Sequence, residues 1–169
     1  MPLTDFRREM AMSHENKTNA MRILDRNGVE YRVISYPCKE AIDGVTVAER
    51  LGAPVDVVFK TLVTVGKSRE YFVFVVPAAE ELDLKKAAVS VGEKSIEMIP
   101  VKDINKVTGY VRGGCSPVGM KKQFVTVFDD SAKTKEKIFV SAGRIGCQFE
   151  VLPHDLLRVT DGKFASITR

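Results

Sequence analysis

One lysine stands out because its neighbours are apolar. Lys60 is the only charged residue in the run 57–65, whose other members are apolar or threonine. On an exposed strand face such a lysine would point to solvent, which is the more frequent situation for this residue type. In a pocket, loss of hydration would lower the pKa of the ammonium unless a carboxylate or phosphate compensated the charge. Lys60 is therefore a candidate anion-binding residue, with a solvent-facing side chain as the alternative.

A second candidate is the glycine-rich segment 113–119, which Lys121 and Lys122 follow. Adjacent Gly113 and Gly114 let the backbone approach a ligand closely and present N–H groups to a carbonyl or phosphate oxygen. The two lysines could supply charge for a phosphate backbone. The segment does not match the patterns GxxxxGK[ST] or GxGxxG, so a structural turn explains it equally well.

Small residues also end the apolar run 137–142. The segment 141–146 reads Ser-Ala-Gly-Arg-Ile-Gly. Ser141 and Gly143 leave space for a ligand, and Arg144 could reach a phosphate. A plain hairpin turn explains the same residues.

Cys115 next to Ser116 raises the possibility of a protein nucleophile, but a partner base is missing from the sequence pattern. Cysteine and serine catalysis need a base, usually histidine. His154 lies at an expected helix start and His14 in the polar N-terminal segment. There is also no GxSxG elbow. A covalent mechanism through either side chain is therefore disfavoured.

The cysteines and histidines do not indicate a metal site. Cys38, Cys115 and Cys147 are not spaced as CxxC, and the two histidines do not form HxxxH. We expect three reduced thiols, no metal and no cofactor.

Composition sets wide limits on function. The chain has 169 residues, a net charge of +4 and a pI near 9.0, which weakly favours a partner with phosphates. No apolar run approaches the roughly 20 residues that a membrane helix needs. The first 20 residues contain no hydrophobic stretch typical of a secretory signal. We therefore expect no membrane association and a cytoplasmic location.

Hydrophobic periodicity and capping signals predict the elements that would position these residues. A helix should follow Thr18, and a second should open with the capping-box residue Thr46 and end at Gly52. Asp83 should cap a third helix closed by Gly92, a fourth should span about 101–107, and Pro153 should begin the last. Strands are expected at 29–36, 57–65, 71–77, 110–112, 124–129, 137–142, 147–152 and 164–167.

Short strands joined by tight turns, with helices at irregular intervals, indicate the fold class. We expect an α+β fold with a mixed, largely antiparallel central β-sheet and flanking helices. Residues 1–16 are polar and aperiodic and are expected to form a flexible extension. No Pro-, Gly- or Ser-rich linker divides the rest, so 17–169 should form one domain.

Four segments together resemble a known family. They are VFKTLV (58–63), LDLKKAA (82–88), TGYVRGGCSPVGMKK (108–122) and IFVSAGRIGCQFEV (138–151). Their order and spacing are similar to those of the YbaK-type Cys-tRNA(Pro) deacylases, free-standing relatives of the editing domain of bacterial prolyl-tRNA synthetase. The resemblance covers about residues 17–169 and implies the same fold for this domain.

The resemblance implies roles at the matching positions. Lys60 corresponds to the essential lysine and Gly113 to the glycine of the substrate loop, so both are expected to be catalytic. Substrate-binding roles are expected for Tyr36, Gly114, Ser116, Ser141, Gly143 and Gln148, with Pro117 completing the loop motif. Residues expected to contact tRNA phosphates are Arg112, Lys121, Lys122 and Arg144. Gln148 replaces an aspartate found near the site in some members, and an amide cannot act as a base or pair ionically with Lys60.

The implied activity is hydrolysis of mischarged Cys-tRNA(Pro), and also of Cys-tRNA(Cys), in trans. The thiol of the substrate would attack its own ester carbonyl, which requires no protein nucleophile. Water attack assisted by Lys60 or by the terminal ribose hydroxyl is the competing route. Another small aminoacyl-tRNA such as Ala-tRNA(Pro), or a non-catalytic tRNA-binding role, remains an alternative. The expected partners are tRNA and, as a candidate, prolyl-tRNA synthetase; the oligomeric state is left open.

Overall fold

The computed structural model describes residues 17–169, so the extension expected over 1–16 lies outside the described residues. The helices are α1 (Asn19–Arg26), α2 (Gly44–Leu51), α3 (Leu84–Val91), α4 (Ile104–Thr108) and α5 (Pro153–Thr160). The strands are β1 (Tyr31–Ser35), β2 (Phe59–Gly66), β3 (Tyr71–Pro77), β4 (Ile96–Met98), β5 (Val125–Asp129), β6 (Ile138–Arg144), β7 (Cys147–Val151) and β8 (Lys163–Ala165).

The strands form two sheets. One has three antiparallel strands in the order β1-β7-β6. The other has five strands in the order β4-β2-β3-β5-β8, in which β5 runs parallel to both β3 and β8. The remaining pairs, β2 with β3 and β2 with β4, are antiparallel. The expected α+β fold with mixed, largely antiparallel strands is confirmed, and the strands are divided between two sheets.

The two sheets meet at the start of β2. A bridge joins Val58 to Phe139, and a buried cluster fills the space between the sheets. Phe59 and Val75 contribute to this cluster from the larger sheet, and Phe149 contributes from the smaller one. Burial of such side chains contributes about 1.5–3 kcal/mol each. The start of β2 is therefore fixed from both sheets.

The β2–β3 hairpin has the predicted position. Seven residue pairs run from Phe59 opposite Pro77 to Val65 opposite Tyr71. On its other edge β2 pairs with the three-residue strand β4 only at Thr64–Gly66. The first half of β2, which contains Lys60, therefore extends beyond the end of β4.

The caps predicted from local sequence signals are correct for α3, and the predicted N-terminal cap of α2 is wrong. Asp83 caps α3 by accepting from the N–H groups of Lys85 and Lys86, and Gly92 ends it with φ of 71°. The expected cap at Thr46 is wrong, because α2 begins earlier and Asp43 is its N-cap. Within residues 17–169, no helix combines the length and apolar character needed to cross a membrane.

The strand predicted at 110–112 is absent from the structure. Tyr110 is buried, and its hydroxyl donates to the carbonyl of Val118 at 2.6 Å. Its N–H donates to the hydroxyl of Thr108 at 3.0 Å. These bonds fold the segment back on itself, and no ladder forms at these residues despite their β propensity.

The close contact between α2 and the end of β3 gives a stability prediction. A Cβ added to Gly44 would lie 2.1 Å from the Cβ of Ala78. We expect Gly44→Ala to lower the free energy of unfolding by about 1–3 kcal/mol, as overpacking does, measured by urea denaturation. Adding Ala78→Gly removes the clashing methyl and should recover much of the loss. A Gly44→Ala variant as stable as the wild type would contradict this packing.

Candidate functional site

A cavity of about 560 Å³ opens beside the part of β2 that β4 does not cover. Its wall includes Lys60 from β2 and residues of the segment that leads into α2. Gly113 and Arg112 lie on another side, and Ser141 and Gln148 reach it from the smaller sheet. The structure therefore brings together residues that are far apart in sequence and that the sequence pattern had singled out separately.

Lys60 lies in this wall with its side chain partly buried. Loss of hydration lowers the pKa of its ammonium, and the charge of Glu81 opposes this effect weakly. Glu81 itself forms an ion pair with Arg169 at 3.0 Å. Among residues 17–169, no carboxylate lies within salt-bridge distance of Lys60. The cavity thus contains a cation whose charge the described protein does not neutralise locally.

Gly113 supplies a backbone group at the same wall. It has φ of 83°, in the left-handed region, and no acceptor among the described residues takes its N–H. A Cβ at this position would lie 2.6 Å from the Cβ of Ala41. A methyl group at this position would therefore collide with Ala41.

Gly114 and Ser116 have structural partners and lie outside the cavity lining. The N–H of Gly114 donates to the carbonyl of Val111 at 2.9 Å, so it is not available as an oxyanion donor in this conformation. Its missing side chain is required, because a Cβ would lie 2.9 Å from the Cα of Arg144. Ser116 is fully buried, and its hydroxyl accepts from the N–H of Val118 at 3.3 Å. Both residues therefore have a role in loop packing, and the substrate-binding roles expected for them stay predictions.

Ser141 and Gln148 face each other across β6 and β7 and both line the cavity. The Ser141 hydroxyl accepts from the N–H of Gly143 at 3.2 Å, which leaves its own hydrogen available as a donor. The Gln148 amide forms a hydrogen bond with Tyr36, and its Oε1 is buried without a partner among the described residues. Burial raises the Tyr36 pKa, while the Gln148 bond opposes this. Tyr36 therefore contacts Gln148, but it is not among the residues that line the cavity.

Gly143 is not among the residues that line the cavity. Its φ is 106°, and a Cβ there would lie 3.0 Å from the ring of Tyr110 and 3.2 Å from the Cβ of Thr18. The lack of a side chain at Gly143 therefore serves packing against these two residues, and the substrate-binding role expected for Gly143 stays a prediction.

The four basic residues expected to contact tRNA are all exposed, at different distances from the cavity. Arg112 is part of its lining. Lys121 donates to the carbonyl of Lys106 at 3.3 Å, and Lys122 follows it in the same exposed loop. Arg144 is the last residue of β6, next to the turn into β7. Arg112 is thus the one of the four whose side chain borders the cavity.

Cys115 lines the cavity but lacks the features of a nucleophile. Burial raises the pKa of its thiol to about 11, so it is protonated near neutral pH. His154 packs edge-on against Phe164, with ring centroids 5.5 Å apart, and is not among the residues that line the cavity with Cys115. His14 lies outside the described residues.

Asp43 is a cavity residue that sequence analysis missed. Its carboxylate accepts from the N–H of Thr46 at 2.9 Å and from the Thr46 hydroxyl at 3.0 Å, and these bonds lower its pKa. The pattern Asp-Gly-Val-Thr carried this signal, because a cap bonds to the N–H three residues later. Since the carboxylate is ionised and occupied by the cap, it is a poor general base.

Sequence analysis also missed an exposed apolar part of the cavity wall. Met98 and Val101 line the cavity while retaining 47% and 55% of their exposure. Met98 is the last residue of β4, and Val101 follows Pro100 in the connection between β4 and α4, where no periodic pattern marks them. Across residues 17–169, no three His, Cys, Asp or Glu side chains are grouped to hold a metal ion.

Comparison with known proteins shows which family this chain is similar to. Residues 39–159 match the family model described as the aminoacyl-tRNA editing domain, a range that contains Lys60, Gly113, Ser141 and Gln148. A protein of Enterococcus faecalis named Cys-tRNA(Pro)/Cys-tRNA(Cys) deacylase EbsC is 46% identical over 155 residues, covering 91% of this chain and 94% of its own.

Solved structures share the fold at lower identity. One described as a trans-editing enzyme for prolyl tRNA synthetase is 24% identical with a TM-score of 0.80, covering 89% of this chain and 95% of its own. Hypothetical protein APE2540 is 20% identical with a TM-score of 0.81, covering 90% and 100%. The family model and the enterococcal relative each span most of the chain, and the protein therefore belongs to the aminoacyl-tRNA editing domain family.

Proposed function

We propose that this protein is a trans-editing deacylase that hydrolyses Cys-tRNA(Pro), and also Cys-tRNA(Cys). The 46% identity to a relative of that name supports this substrate class. The observation that carries the proposal is the Lys60 ammonium in the cavity wall, with no carboxylate within ion-pair distance among residues 17–169. Such a charge favours a ligand with phosphate or developing oxyanion character. The 3′ end of an aminoacyl-tRNA offers both.

The chemistry proposed for this site uses a nucleophile from the substrate. The cysteinyl Sγ attacks the ester carbonyl, an S–C bond forms, and the C–O bond to the ribose breaks. The thiol proton passes to the departing ribose oxygen, and water later opens the cyclic thioester. Lys60 would hold the terminal phosphate or the ester oxygen, and the N–H of Gly113 would orient the carbonyl.

The described groups around the cavity support this route over protein-based nucleophilic attack. Cys115 is a protonated thiol with its pKa raised to about 11. Asp43 is committed to capping α2. Because neither side chain offers a ready nucleophile or base, the thiol carried by the substrate is the simpler source of the nucleophile.

Location and partner follow from this substrate. We infer that the protein acts in the cytoplasm, where charged tRNA is made and used. Prolyl-tRNA synthetase is the proposed partner, since it would supply mischarged tRNA(Pro), and the name of one solved structure of this fold refers to that enzyme.

Removing the Lys60 charge should separate activity from stability. Lys60→Met should reduce the single-turnover rate on Cys-tRNA(Pro) at least about 100-fold, the cost of losing one electrostatic donor. Because burial lowers the Lys60 pKa, the charged form is penalised in the folded chain below its ordinary pKa of 10.5. The penalty is present at pH 7, fades as pH rises through the lowered pKa of the folded state, and is absent above 10.5. Lys60→Met should therefore unfold in urea at the same or a higher midpoint at pH 7.

Two further lysine variants serve as comparisons. Lys60→Arg should also be inactive, because a planar guanidinium cannot replace a compact ammonium in a confined site. Lys67→Met, in the exposed β2–β3 turn, should retain the wild-type rate. Near-normal turnover by Lys60→Met would remove the central residue of the proposal.

The cysteines should be dispensable for catalysis. Cys115→Ala should retain at least about a tenth of the wild-type rate, since its protonated thiol takes no part in bond making. Cys38→Ala and Cys147→Ser test the remaining thiols, with circular dichroism as the folding control. A loss of about a thousandfold in a folded Cys115→Ala variant would instead indicate covalent catalysis.

Substrate selectivity should follow the chemistry of the aminoacyl side chain. A pocket alone separates close analogues by about 10–200-fold. A serine hydroxyl ionises far less readily than a thiol, so Ser-tRNA should bind yet react at least about 1000-fold more slowly. S-alkylated Cys-tRNA should resist cleavage for the same reason. The measurement is a panel of Cys-, Ser- and Ala-tRNA under single-turnover conditions.

Each outcome of the panel has a distinct meaning. Comparable rates for Ser- and Cys-tRNA would contradict attack by the substrate thiol and favour water. Preferential cleavage of Ala-tRNA would identify a different substrate. Binding without cleavage of any of the three would indicate a tRNA-binding module.

A further inference from the structure

A basic groove lies along α1, outside the catalytic cavity. It has a volume of about 560 Å³ and is lined by Lys17, Asn19, Arg22, Asp25 and Arg26. Arg22 and Arg26 are exposed and one turn apart, so their side chains share a face of the helix. Among residues 17–169, neither lies within salt-bridge distance of a carboxylate.

Among the described residues that line this groove, one is acidic, and it is already engaged. Asp25 forms an ion pair with Lys17 and accepts from the hydroxyl of Tyr31 at 2.9 Å. Burial, followed by the contact with Asp25, raises the pKa of Tyr31, so the tyrosine remains a neutral donor. No carboxylate among residues 17–169 therefore neutralises the charges of Arg22 and Arg26, and these charges can attract an external anion.

Contacts connect this groove to the cavity. Asn19 donates to the carbonyl of Gly119 at 2.9 Å, beside the loop that carries Lys121 and Lys122. On its other side, Thr18 donates to the carbonyl of Ala142. The start of α1 thus lies between two basic segments that sequence analysis had assigned to tRNA.

The second of these segments reaches the cavity itself. Gly143 packs against Thr18, and Arg144 follows it in the chain. The Cα of Arg144 would be 2.9 Å from a Cβ on Gly114, which adjoins the cavity residue Gly113. An unbroken path of packed residues therefore runs from the cavity wall to α1.

We propose that the face of α1 formed by Arg22 and Arg26 binds the sugar-phosphate backbone of the tRNA acceptor arm. This inference rests on the proposed function, because the ester that enters the cavity is attached to the end of an RNA strand. That strand must leave along the surface next to the cavity, and phosphates complement the uncompensated arginines. Such contacts contribute affinity for any tRNA without reading its sequence.

The test compares the wild type with the double variant Arg22→Ala/Arg26→Ala. Binding of labelled, uncharged tRNA is measured by fluorescence anisotropy at several salt concentrations. Loss of two phosphate contacts should weaken binding about tenfold at low salt and reduce the slope of log K against log salt by about two. Arg22→Glu/Arg26→Glu should weaken binding further, since repulsion replaces attraction.

A second readout uses substrates of different length. The rate of cleavage of Cys-tRNA(Pro) at subsaturating enzyme should fall with binding in the double variant. The cysteinyl ester of adenosine lacks the acceptor arm, so its cleavage should change by less than about twofold. The matched control is Lys67→Ala/Arg69→Ala, which removes two exposed charges at the β2–β3 turn, roughly 20 Å along β2 from Lys60.

The outcomes separate this inference from the proposed function. An unchanged salt slope and affinity in the Arg22→Ala/Arg26→Ala variant would contradict the proposal that this face of α1 binds tRNA. So would equal losses on tRNA and on the adenosine ester, since these would indicate a structural effect on the cavity. A wild type that binds tRNA but cleaves neither substrate would contradict the deacylase proposal, while the binding measurement would still decide the role of α1.

Discussion

The placement of the Lys60 ammonium is the constraint on which the site depends. Lys60 lies on a strand fixed from both sheets, just beyond the point where β4 stops covering it. Loss of hydration penalises the charge, and among the described residues no carboxylate pairs with it directly. A folded chain carries such a cost where the function of the site requires the charge. Binding of an anion next to Lys60 would offset the loss of hydration. Lowered hydration also strengthens the attraction for that anion.

The shape of the cavity depends on a second constraint, the close approach of backbone segments at glycines. Gly113 touches Ala41, Gly114 touches Arg144, and Gly143 touches Thr18 and Tyr110. At each contact a Cβ would lie between 2.6 and 3.2 Å from its neighbour, so glycine is required for packing. These residues resemble an anion-binding loop in sequence, yet most of them position the wall, and Gly113 alone combines this role with an N–H directed to no described acceptor.

The sequence predicted features that depend on local signals and missed those that depend on distant contacts. The β2–β3 hairpin and the caps of α3 at Asp83 and Gly92 are local and were correct. The division into two sheets was missed, because the smaller sheet depends on the pairing of β1 with β7, from Tyr31 opposite Val151 to Ser35 opposite Cys147, which are distant in sequence. The strand expected at Tyr110 failed because its hydroxyl bonds to Val118 across a loop.

The site was predictable to a similar extent. The pattern around Lys60 left a solvent-facing side chain open, and resemblance to a family, rather than periodicity, selected the pocket. In the structure Lys60 borders a cavity, whereas the buried hydroxyl of Ser116 and the bonded N–H of Gly114 could not be inferred from residue type. Asp43 adds the last element: it borders the same cavity, but helix capping occupies its oxygens. A cavity whose described carboxylate and thiol are both held unreactive can position an ester well, and such a site gains selectivity when the substrate brings the nucleophile.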